Sequence, residues 1–300
     1  MPTLLPGGPA TCPMQNSALD SDSDRDDELE DEALAAAEEE EDALDDDSPS
    51  DAKSKAKAAE APADDPNAHE DVPDPELAKK PIPSEAELKK ALDWAFSAEE
   101  VLPGVLEKYA KHARLVLEAN REINLTALID AKEVAVKHYL DSWRATRLLP
   151  LMGRKVLDLG SGAGYPGMPT ALCEDMTKVV MVDARRKKAE FMQSIIEEMG
   201  VKNAEAEWAR GEEFLQKNKV DVVFIRALSS VRENVRLLRK VRHSFHDLVM
   251  FKGPSWSREV RAGEREAERL GFHLDTVWEH ELPGEMGKRA ILIYRAPGSQ

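Results

Sequence analysis

Cysteine and long apolar runs are what this chain most lacks. Its 300 residues include two cysteines, Cys12 and Cys173, so no disulfide framework can form and we expect a reducing compartment. No apolar run approaches the roughly 18 residues that a membrane span needs. The opening residues, MPTLLPGGPA, lack the basic region of a secretory signal. The sequence therefore predicts a cytoplasmic protein without a membrane anchor.

Aromatic residues and clusters of metal ligands are also scarce. Aromatic residues make up 5% of the chain, which argues against the extensive base stacking used by proteins that bind single-stranded nucleic acid. The closest histidine pair, His243 and His246, has no cysteine or carboxylate cluster at ligand spacing around it. We therefore predict no metal site.

Negative charge is concentrated at the start of the chain. Residues 1–80 contain 25 of the 58 acidic residues but only 6 of the 41 basic ones, so their net charge is −19 and that of the other 220 residues is +2. A segment this acidic, with few bulky apolar residues, cannot bury enough surface to offset its chain entropy. We predict a disordered acidic tail over residues 1–82 and a folded domain over residues 83–300. The tail suits either a solubilising appendage or an autoinhibitory or partner-binding segment.

The most informative motif is VLDLGSGAGYPG, at residues 156–167. A short apolar run reaches Asp158 and opens into Gly160, Gly162 and Gly164, as expected of a strand that leads into a nucleotide-binding turn. Glycine permits positive φ and close approach of the backbone to a ligand, and the helix that follows offers free N–H groups. We therefore expect a cofactor at residues 160–167.

The spacing of the glycines discriminates between cofactors. Counted from Gly160, the dinucleotide pattern G-x-G-x-x-G requires a glycine where Tyr165 stands. The pattern fits only in a later register, Gly162, Gly164 and Gly167, which begins beyond the strand. The form D-x-G-x-G-x-G instead resembles the S-adenosylmethionine turn of Rossmann-like methyltransferases. A dinucleotide enzyme and a glycine-rich turn without a ligand stay open as alternatives at this point.

A second strand-like run, KVVMVD, ends in Asp183, about 20 residues beyond the glycines. An acid at this spacing holds the ribose hydroxyls in nucleotide-binding folds. Asp183 is therefore the predicted ribose ligand. It also suits the N-cap of a helix that starts near Arg185, and the two roles are compatible.

Apolar periodicity predicts an α/β architecture. Residues 85–96, 101–117 and 134–149 have the spacing of amphipathic helices and form a predicted helical cap within residues 83–150. Residues 151–300 alternate strand-like runs with helical stretches such as 187–199 and 231–241, which predicts a mainly parallel sheet covered by helices. The runs are VLDL, VVMVD, AEAEW, VDVVFIR, LVMFKG and AILIYR. Ligands bind at the carboxyl ends of such strands. The polar residues at these ends are Asp158, Asp183, Arg210, Arg226 and Lys252.

Several blocks together resemble the glucose-inhibited division protein B family, bacterial methyltransferases that modify a guanine of small-subunit ribosomal RNA. The resemblance covers roughly residues 100–296. Its blocks are NLT at 124–126, HYLDS at 138–142, the glycine turn with PGMP at 166–169, VD at 182–183, KK at 187–188 with Phe191, RGEE at 210–213, RA at 226–227, KG at 252–253 and KR at 288–289. The resemblance implies a Rossmann-like, S-adenosylmethionine-dependent methyltransferase fold with a mainly parallel sheet of seven strands.

The same resemblance implies roles for individual residues. Gly160 and Tyr165 would line the S-adenosylmethionine pocket, together with the other turn glycines. Gly211 and Glu212 would meet the adenine, and Arg226 would lie beside the cofactor. The residues implied or predicted to face RNA are Asn124, Arg210 and Arg289.

Several of these residues also suit purely structural roles. Arg210 and Arg226 could form structural ion pairs, and Arg289 could be a solvated charge at a sheet edge. Asn124 could stop a helix, and Lys252 could lie on the surface. We expect His138 to hydrogen-bond inside the cap rather than to act in acid–base chemistry.

The implied acceptor is nitrogen 7 of a guanine in 16S ribosomal RNA. This atom carries a lone pair and no proton, so its attack on a sulfonium methyl needs no general base, and the enzyme has only to align the reacting atoms. An arginine fork on nitrogen 7 would block the methyl, so orienting residues should address oxygen 6 or phosphates. The candidates are Arg210, Arg226, Lys252 and Arg289. A methyltransferase for a small molecule or protein, and a non-catalytic RNA-binding module, are the alternatives.

Positive charge forms two clusters that suit a phosphate backbone. Arg185 and Arg186 belong to the first, and Arg232 and Arg236 share one face of the predicted helix over residues 231–241. An ordinary solvated helix face is the alternative. The predicted partner is 16S ribosomal RNA or a precursor of the small ribosomal subunit, and the lack of a long apolar surface stripe favours a monomer.

Overall fold

The computed structural model describes residues 75–297, so most of the predicted acidic tail, residues 1–74, lies outside the described residues. The described chain begins with helices. They are α1 (Pro75–Ala78), α2 (Glu85–Ala95), α3 (Val105–Ala119) and α4, which consists of three consecutive segments, Ala131–Glu133, the π-helical Val134–Leu140 and Asp141–Thr146. Short π-helical stretches within α-helices occur often at functional sites. In α4 this stretch contains His138.

Local sequence explains where these cap helices start. Ser84 accepts a hydrogen bond from the backbone N–H of Glu87, whose side chain accepts from Ser84 in return, so a capping box begins α2 at the predicted start signal. The helix α4 begins at Ala131, three residues before the predicted start at residue 134, because Asp130 accepts from the backbone N–H groups of Lys132 and Glu133. Arg114 donates to the carbonyl oxygens of residues 82 and 83, so the chain just before α2 already packs on α3.

The second part of the described chain is a seven-stranded sheet in the order β3-β2-β1-β4-β5-β7-β6. The strands are β1 (Lys155–Leu159), β2 (Lys178–Asp183), β3 (Ala204–Trp208), β4 (Val222–Arg226), β5 (Asp247–Lys252), β6 (His273–Glu281) and β7 (Lys288–Arg295). All neighbouring pairs are parallel except those of β7, which runs antiparallel to both β5 and β6. The predicted fold class, a Rossmann-like sheet with a helical N-terminal cap, is confirmed.

Five helices connect the strands. They are α5 (Gly167–Cys173), α6 (Arg186–Met199), α7 (Gly211–Lys217), α8 (Val231–Leu237) and α9 (Trp256–Arg269). The predicted helix over residues 231–241 is wrong at its end, because α8 stops at Leu237. The positive charges of Arg236, Arg239 and Lys240 recur at helical spacing and repel one another in a longer helix. The basic residues Arg239, Lys240 and Arg242 therefore lie in the turns after α8.

The strand register sorts the polar candidates between the two faces of the sheet. Asp158 is aligned with Phe224 of β4, and Arg226 is aligned with Phe251 of β5. Both phenylalanines belong to the core that the sheet shares with the cap helices. Arg289 is aligned with His280, and alternation along β7 puts this pair on the same, cap-side face. Lys252 lies on the opposite face.

A reversed β7 has a direct consequence for the site. Its first residues, Lys288 and Arg289, lie at the edge of the sheet where the parallel strands end. Among residues 75–297, no helix is long and apolar enough to cross a membrane.

Candidate active site

The turn after β1 has the backbone that the glycine motif predicts. The φ angles of Gly160, Gly162 and Gly164 are +73°, +59° and +90°, a region that residues with a Cβ rarely adopt. The backbone N–H groups of Gly160 and Ser161 donate to the carbonyl oxygen of Val182 over 2.9 and 3.0 Å. The turn is therefore held against the carboxyl end of β2.

Two glycines of this segment serve different purposes. A Cβ on Gly167 would lie 2.6 Å from Met181 Cγ and 2.7 Å from Asp158 Oδ2, so Gly167 lets α5 pack directly on the sheet. Apart from the flanking residues, a Cβ on Gly162 would have no neighbour within residues 75–297 closer than the Gly160 carbonyl oxygen at 4.0 Å. Space therefore remains beside Gly162, where a ligand can approach the backbone.

Asp158 is buried beneath the turn, and only one of its two carboxylate oxygens accepts hydrogen bonds from residues 75–297. Its Oδ2 accepts hydrogen bonds from the backbone N–H of Gly167 over 2.7 Å and from the Ser161 hydroxyl. Its Oδ1 is buried and has no hydrogen-bond partner among residues 75–297. Burial raises the pKa of Asp158 to about 6. An unsatisfied buried acceptor is costly, so this oxygen suits a cationic or N–H group of a bound ligand.

Asp183 ties the turn to the end of β2. Its Oδ2 accepts from the backbone N–H of Gly162 and its Oδ1 from that of Arg185, both over 2.9 Å. Arg185 itself occupies the N-cap position of α6, so Asp183 supports the start of this helix from two residues upstream. Each carboxylate oxygen retains a second lone pair. The ribose role of Asp183 stays a prediction.

The end of β3 lies beside the same turn. Trp208 Nε1 donates to the carbonyl oxygen of Ala184 over 3.0 Å, which joins the ends of β2 and β3. Gly211 is buried so closely on β1 that a Cβ would lie 2.5 Å from Leu159 Cγ. Glu212 follows it, half-buried, in the first turn of α7, and the Arg210 side chain is exposed with no hydrogen bond or ion pair to any residue in 75–297.

Arg226 is directed toward the cap and, among the residues that the structure describes, forms no structural ion pair of the kind that its strand-end position allows. Its guanidinium donates to the Lys137 carbonyl over 2.5 Å, the His138 Nδ1 over 3.0 Å and the Ser142 hydroxyl over 3.3 Å. Burial lowers the pKa of Arg226. Because these acceptors belong to α4, Arg226 links the end of β4 to the cap.

His138 hydrogen-bonds inside the cap, as predicted. Because its Nδ1 accepts from Arg226, its Nε2 carries the proton and donates to the Thr126 hydroxyl over 2.9 Å. Burial, reinforced by the charge of Arg226, lowers the pKa of His138 well below its ordinary value. A neutral imidazole with both nitrogen atoms engaged is not available as a general base.

Tyr165, at the end of the glycine turn, also belongs to this network. Its ring stacks on that of His138, with 4.2 Å between the ring centroids and 9° between the planes. Its hydroxyl donates to Tyr139 over 3.0 Å, and Tyr139 donates to Nδ1 of His112 over 2.7 Å. Burial lowers the pKa of His112 to about 3, so this histidine is neutral. The side chain of Tyr165 is thus engaged by the cap, while its place in the cofactor pocket stays a prediction.

The loop before α4 clarifies the position of Asn124. The helix α3 ends at Ala119 with Asn120 as its C-cap, so Asn124 is not the helix stop that we considered. Asn120 Oδ1 accepts from the backbone N–H groups of Leu125 and Thr126, each over 2.9 Å. Asn124 is exposed beside this ordered loop. Its RNA contact stays a prediction.

The remaining orienting candidates differ in how strongly they are held. Lys252 is buried and donates to the Ser229 carbonyl over 2.6 Å and to Glu259 over 2.7 Å. Within the described part of the chain, the Arg289 side chain makes one hydrogen bond, to the carbonyl oxygen of Lys288 over 2.9 Å. Its cross-strand neighbour His280 contacts Asp141 of α4 over 3.2 Å. Lys252 is therefore fixed by protein groups, while Arg289 keeps donors for another partner.

The predicted basic clusters are partly neutralised within the protein. Arg186 forms an ion pair with Glu190 over 2.6 Å and lies over the Trp208 ring at 5.4 Å. Arg236 lies 3.6 Å from Glu266 of α9. Arg185 begins α6 and Arg232 lies in the first turn of α8, so both remain at the carboxyl edge of the sheet. No group of three or more potential metal ligands occurs within residues 75–297.

A mainly parallel sheet with one reversed strand, a left-handed glycine turn after β1 and an acid at the end of β2 define a Rossmann-like methyltransferase. The comparisons with known proteins agree: the family model "GidB: rRNA small subunit methyltransferase G" matches residues 105–283. The chain belongs to this family, as its sequence blocks predicted. Family membership confirms the prediction of an rRNA methyltransferase that uses S-adenosylmethionine.

Individual relatives show how far the similarity extends. The ribosomal RNA small subunit methyltransferase G of Solibacter usitatus is 31% identical over 214 residues, which cover 68% of this chain and 100% of the relative. The protein of the same name from Geobacter metallireducens is 32% identical and is covered to 89%.

Two solved structures show a weaker similarity to the chain. The B. subtilis tRNA methyltransferase TrmK has a TM-score of 0.43 and 14% identity, over 52% of this chain and 65% of that one. Fibrillarin from Aeropyrum pernix, in complex with S-adenosyl-L-methionine, has a TM-score of 0.41 and 11% identity, over 52% of this chain and 73% of that one.

Proposed function

We propose that the protein transfers a methyl group from S-adenosylmethionine to nitrogen 7 of a guanine in 16S ribosomal RNA, by direct in-line attack without a general base. The observation that carries the proposal is the turn after β1. Its three left-handed glycines leave open space beside Gly162, and an unsatisfied carboxylate oxygen of Asp158 lies beneath it. Membership of the rRNA methyltransferase family supports the substrate class.

The residues around this turn fit the proposed cofactor. The methionine part of S-adenosylmethionine carries an ammonium group, which suits the free Oδ1 of Asp158, and the sulfonium supplies an activated methyl carbon. Asp183 at the end of β2 would hold the ribose. Gly211 and Glu212 after β3 would meet the adenine, and the turn residues Gly160, Gly162, Gly164 and Tyr165 would line the pocket. Arg226, at the end of β4, would lie beside the cofactor and holds α4 next to the pocket through its hydrogen bonds to Lys137 and His138.

The protonation states at the site suit an acceptor that has no proton to lose. His138 is neutral with both ring nitrogens engaged. Burial raises the pKa of Tyr139 and of Tyr165 above the ordinary value, so neither phenol acts as a base near neutral pH. The proposed rate enhancement therefore comes from alignment of nitrogen, methyl carbon and sulfur.

The RNA would approach the carboxyl edge of the sheet. Arg210 and Arg289 have free donors there and would bind phosphates or oxygen 6 of the guanine. Arg226 and Lys252 are engaged by protein groups, so we propose that they act on the substrate only through the segments that they hold. The residues that would extend the contact are Asn124, Arg185, Arg186, Arg232 and Arg236.

The test of this function is methyl transfer with product mapping. Small ribosomal subunits from bacteria that lack the enzyme are incubated with the purified chain and S-adenosylmethionine that carries a labelled methyl group. Mass spectrometry of the nucleosides should find labelled 7-methylguanosine at one position of the 16S RNA. Label in another nucleoside, in protein or in a small molecule would contradict the proposal, and failure to bind the cofactor at all would indicate a non-catalytic RNA-binding module.

Arg289→Ala should separate substrate binding from cofactor binding. Among residues 75–297 its guanidinium bonds only to a neighbouring carbonyl, so its loss should leave the fold and the affinity for S-adenosylmethionine unchanged. Loss of one phosphate or base contact should lower kcat/KM for the ribosomal subunit by about tenfold. Lys288→Ala, which removes an exposed charge one residue away, is the matched control. An unchanged rate would return Arg289 to the role of a solvated edge charge.

Asp158 should make cofactor affinity depend on pH. A cationic ligand favours the charged carboxylate, whereas the free protein protonates Asp158 as pH falls through its pKa of about 6. Affinity for S-adenosylmethionine should therefore be constant above pH 7 and fall below pH 6, by up to about tenfold per unit. Calorimetric titrations between pH 5 and 8 measure this directly. Asp158→Asn should bind weakly at every pH, and a wild-type affinity that is the same at pH 5 and pH 7.5 would contradict the assignment.

The proposed assembly state and domain arrangement follow the sequence. We propose a monomer in the cytoplasm, where its proposed ribosomal substrate is located. Residues 1–82 would be an acidic tail, residues 83–150 the helical cap and residues 151–300 the Rossmann-like core.

A further inference from the structure

One large apolar side chain is exposed at the edge of the sheet where the proposed reaction takes place. Leu228 follows β4 and is 43% exposed. The other exposed large apolar side chains among residues 75–297 lie elsewhere: Met152 and Met176 precede β1 and β2 at the opposite edge, and the rest belong to the cap region or to β6. Leu228 is therefore distinguished by its position, since single exposed apolar residues are common.

Leu228 lies directly over the cofactor turn. A Cβ added to Gly160 would lie 3.2 Å from Leu228 Cδ1. Because β1 and β4 are neighbours in the sheet, this contact is at the boundary between them. The proposed ligands of the adenosine lie on the other side of β1, because Asp183 is the last residue of β2 and Gly211 follows β3. The methyl end of the cofactor then lies toward β4, where the acceptor base has to enter.

The loop that presents Leu228 is held in a strained conformation. Ala227 has a φ of +52°, which residues other than glycine rarely adopt. Such a conformation persists where the surrounding structure over-determines it. Lys252 donates to the Ser229 carbonyl over 2.6 Å, and the Ser229 hydroxyl donates to Asn234 Oδ1 over 2.6 Å. The exposure of Leu228 is thus imposed by a fixed loop.

The role of Lys252 follows from these contacts. Its ammonium group is buried on the face of the sheet opposite Asp158 and Arg226, and it binds Ser229 and Glu259. The charge of the Lys252 ammonium is already balanced by Glu259, so a substrate phosphate is not required as its partner. It holds the loop that carries Leu228.

We propose that Leu228 packs against a face of the target guanine, and that Lys252 is a positioning residue that holds Leu228 in place. A purine presents two apolar faces, and an aliphatic side chain fixed beside the methyl donor limits the tilt of the base while its nitrogen 7 meets the methyl carbon. This proposal rests on the proposed function. The competing occupant of the Leu228 surface is the cofactor itself, and the experiment below separates the two.

The first test is the Leu228→Ala variant of the full chain with small ribosomal subunits as substrate. KM for the subunit should rise by five- to tenfold, while the Kd for S-adenosylmethionine stays within twofold of the wild-type value. Leu228→Met should restore KM, because methionine keeps a long apolar side chain. Leu274→Ala is the matched control, since Leu274 is exposed to 39% on β6. An unchanged KM, or a rise in cofactor Kd that accounts for the whole loss, would overturn the proposal.

A double-mutant cycle tests the positioning role of Lys252. Lys252→Met should lower kcat/KM for the subunit in the wild-type background and have less than a twofold effect in the Leu228→Ala background. Lys252→Arg, which keeps a donor for Ser229, should recover part of the loss. Independent, multiplicative losses would show that Lys252 does not act through Leu228.

The outcomes for this inference and for the proposed function are distinguishable. Wild-type chain that forms no 7-methylguanosine would overturn the proposed function and this inference with it. Formation of 7-methylguanosine by both the wild type and Leu228→Ala with equal KM would overturn this inference alone.

Discussion

Arg226→Ala should lower the melting temperature by about 10 °C. The side chain donates to Lys137, His138 and Ser142 of α4, and alanine would leave these acceptors without their donor. An unsatisfied buried polar group costs about 1–3 kcal/mol, so we expect a loss of about 3–5 kcal/mol in the free energy of unfolding. For a domain of this size, each kcal/mol lowers the melting temperature by about 2–4 °C. Thermal unfolding followed by circular dichroism measures the effect.

Two further variants test whether the contacts to the cap are responsible. Arg226→Lys should recover only part of the stability, because one ammonium cannot replace a fork that reaches three groups. Arg210→Ala removes an exposed side chain that makes no hydrogen bond or ion pair to any residue in 75–297, and it should change the free energy of unfolding by less than about 0.5 kcal/mol. If Arg226→Ala had the melting temperature of the wild type and yet lost activity, Arg226 would act on the ligands and not on the cap.

Gly162→Val should abolish cofactor binding in a protein that still folds. The left-handed backbone of Gly162, with φ of +59°, costs a residue with a Cβ roughly 1–2 kcal/mol. Apart from the flanking residues, the nearest atom to the new Cβ within residues 75–297 is the Gly160 carbonyl oxygen at 4.0 Å, so the Cβ itself would not clash with this part of the protein. It would instead occupy the proposed ligand space. We expect the Kd for S-adenosylmethionine to rise at least about 100-fold by calorimetry, which corresponds to about 3 kcal/mol.

Gly200→Val is the matched control for backbone strain. Gly200 ends α6 with a φ of +65°, and a Cβ there would also have no neighbour within 4 Å. Both variants should lose similar stability, while only Gly162→Val should lose the cofactor. Retained affinity in Gly162→Val, or an equal loss in Gly200→Val, would show that the space beside Gly162 is not the cofactor site.

The turn could be predicted from sequence because its requirements are local. Gly160, Gly162 and Gly164 stand where the backbone adopts positive φ, and the strand before them is a continuous apolar run. The mainly parallel sheet and the helical cap could also be predicted, from apolar periodicity and from the family resemblance, whereas the order of the strands could not. The strand-like runs predict six of the seven strands. The sequence does not predict β6, because most residues of this edge strand, HLDTVWEHE, are polar or exposed.

The contacts of Arg226 could not be predicted in the same way. Its acceptors in α4 precede it by 84 to 89 residues, and no local pattern reveals which helix packs over the end of a strand. For the same reason, the sequence did not indicate the chain of hydroxyl and imidazole groups from Tyr165 through Tyr139 to His112. Lys252 was placed correctly at a strand end, but its partner Glu259 on α9 shows a role that position alone does not reveal.

Tyr165 has a consequence for how this protein can vary. Tyr165 is part of the glycine turn in the sequence, but its ring stacks on His138 and its hydroxyl donates to Tyr139, and both of these residues are in the cap. A substitution in the cap that shifts the position of the Tyr165 ring would therefore also shift the glycine turn. The helical extension is therefore not an interchangeable module, and the two halves of the chain must accept substitutions jointly.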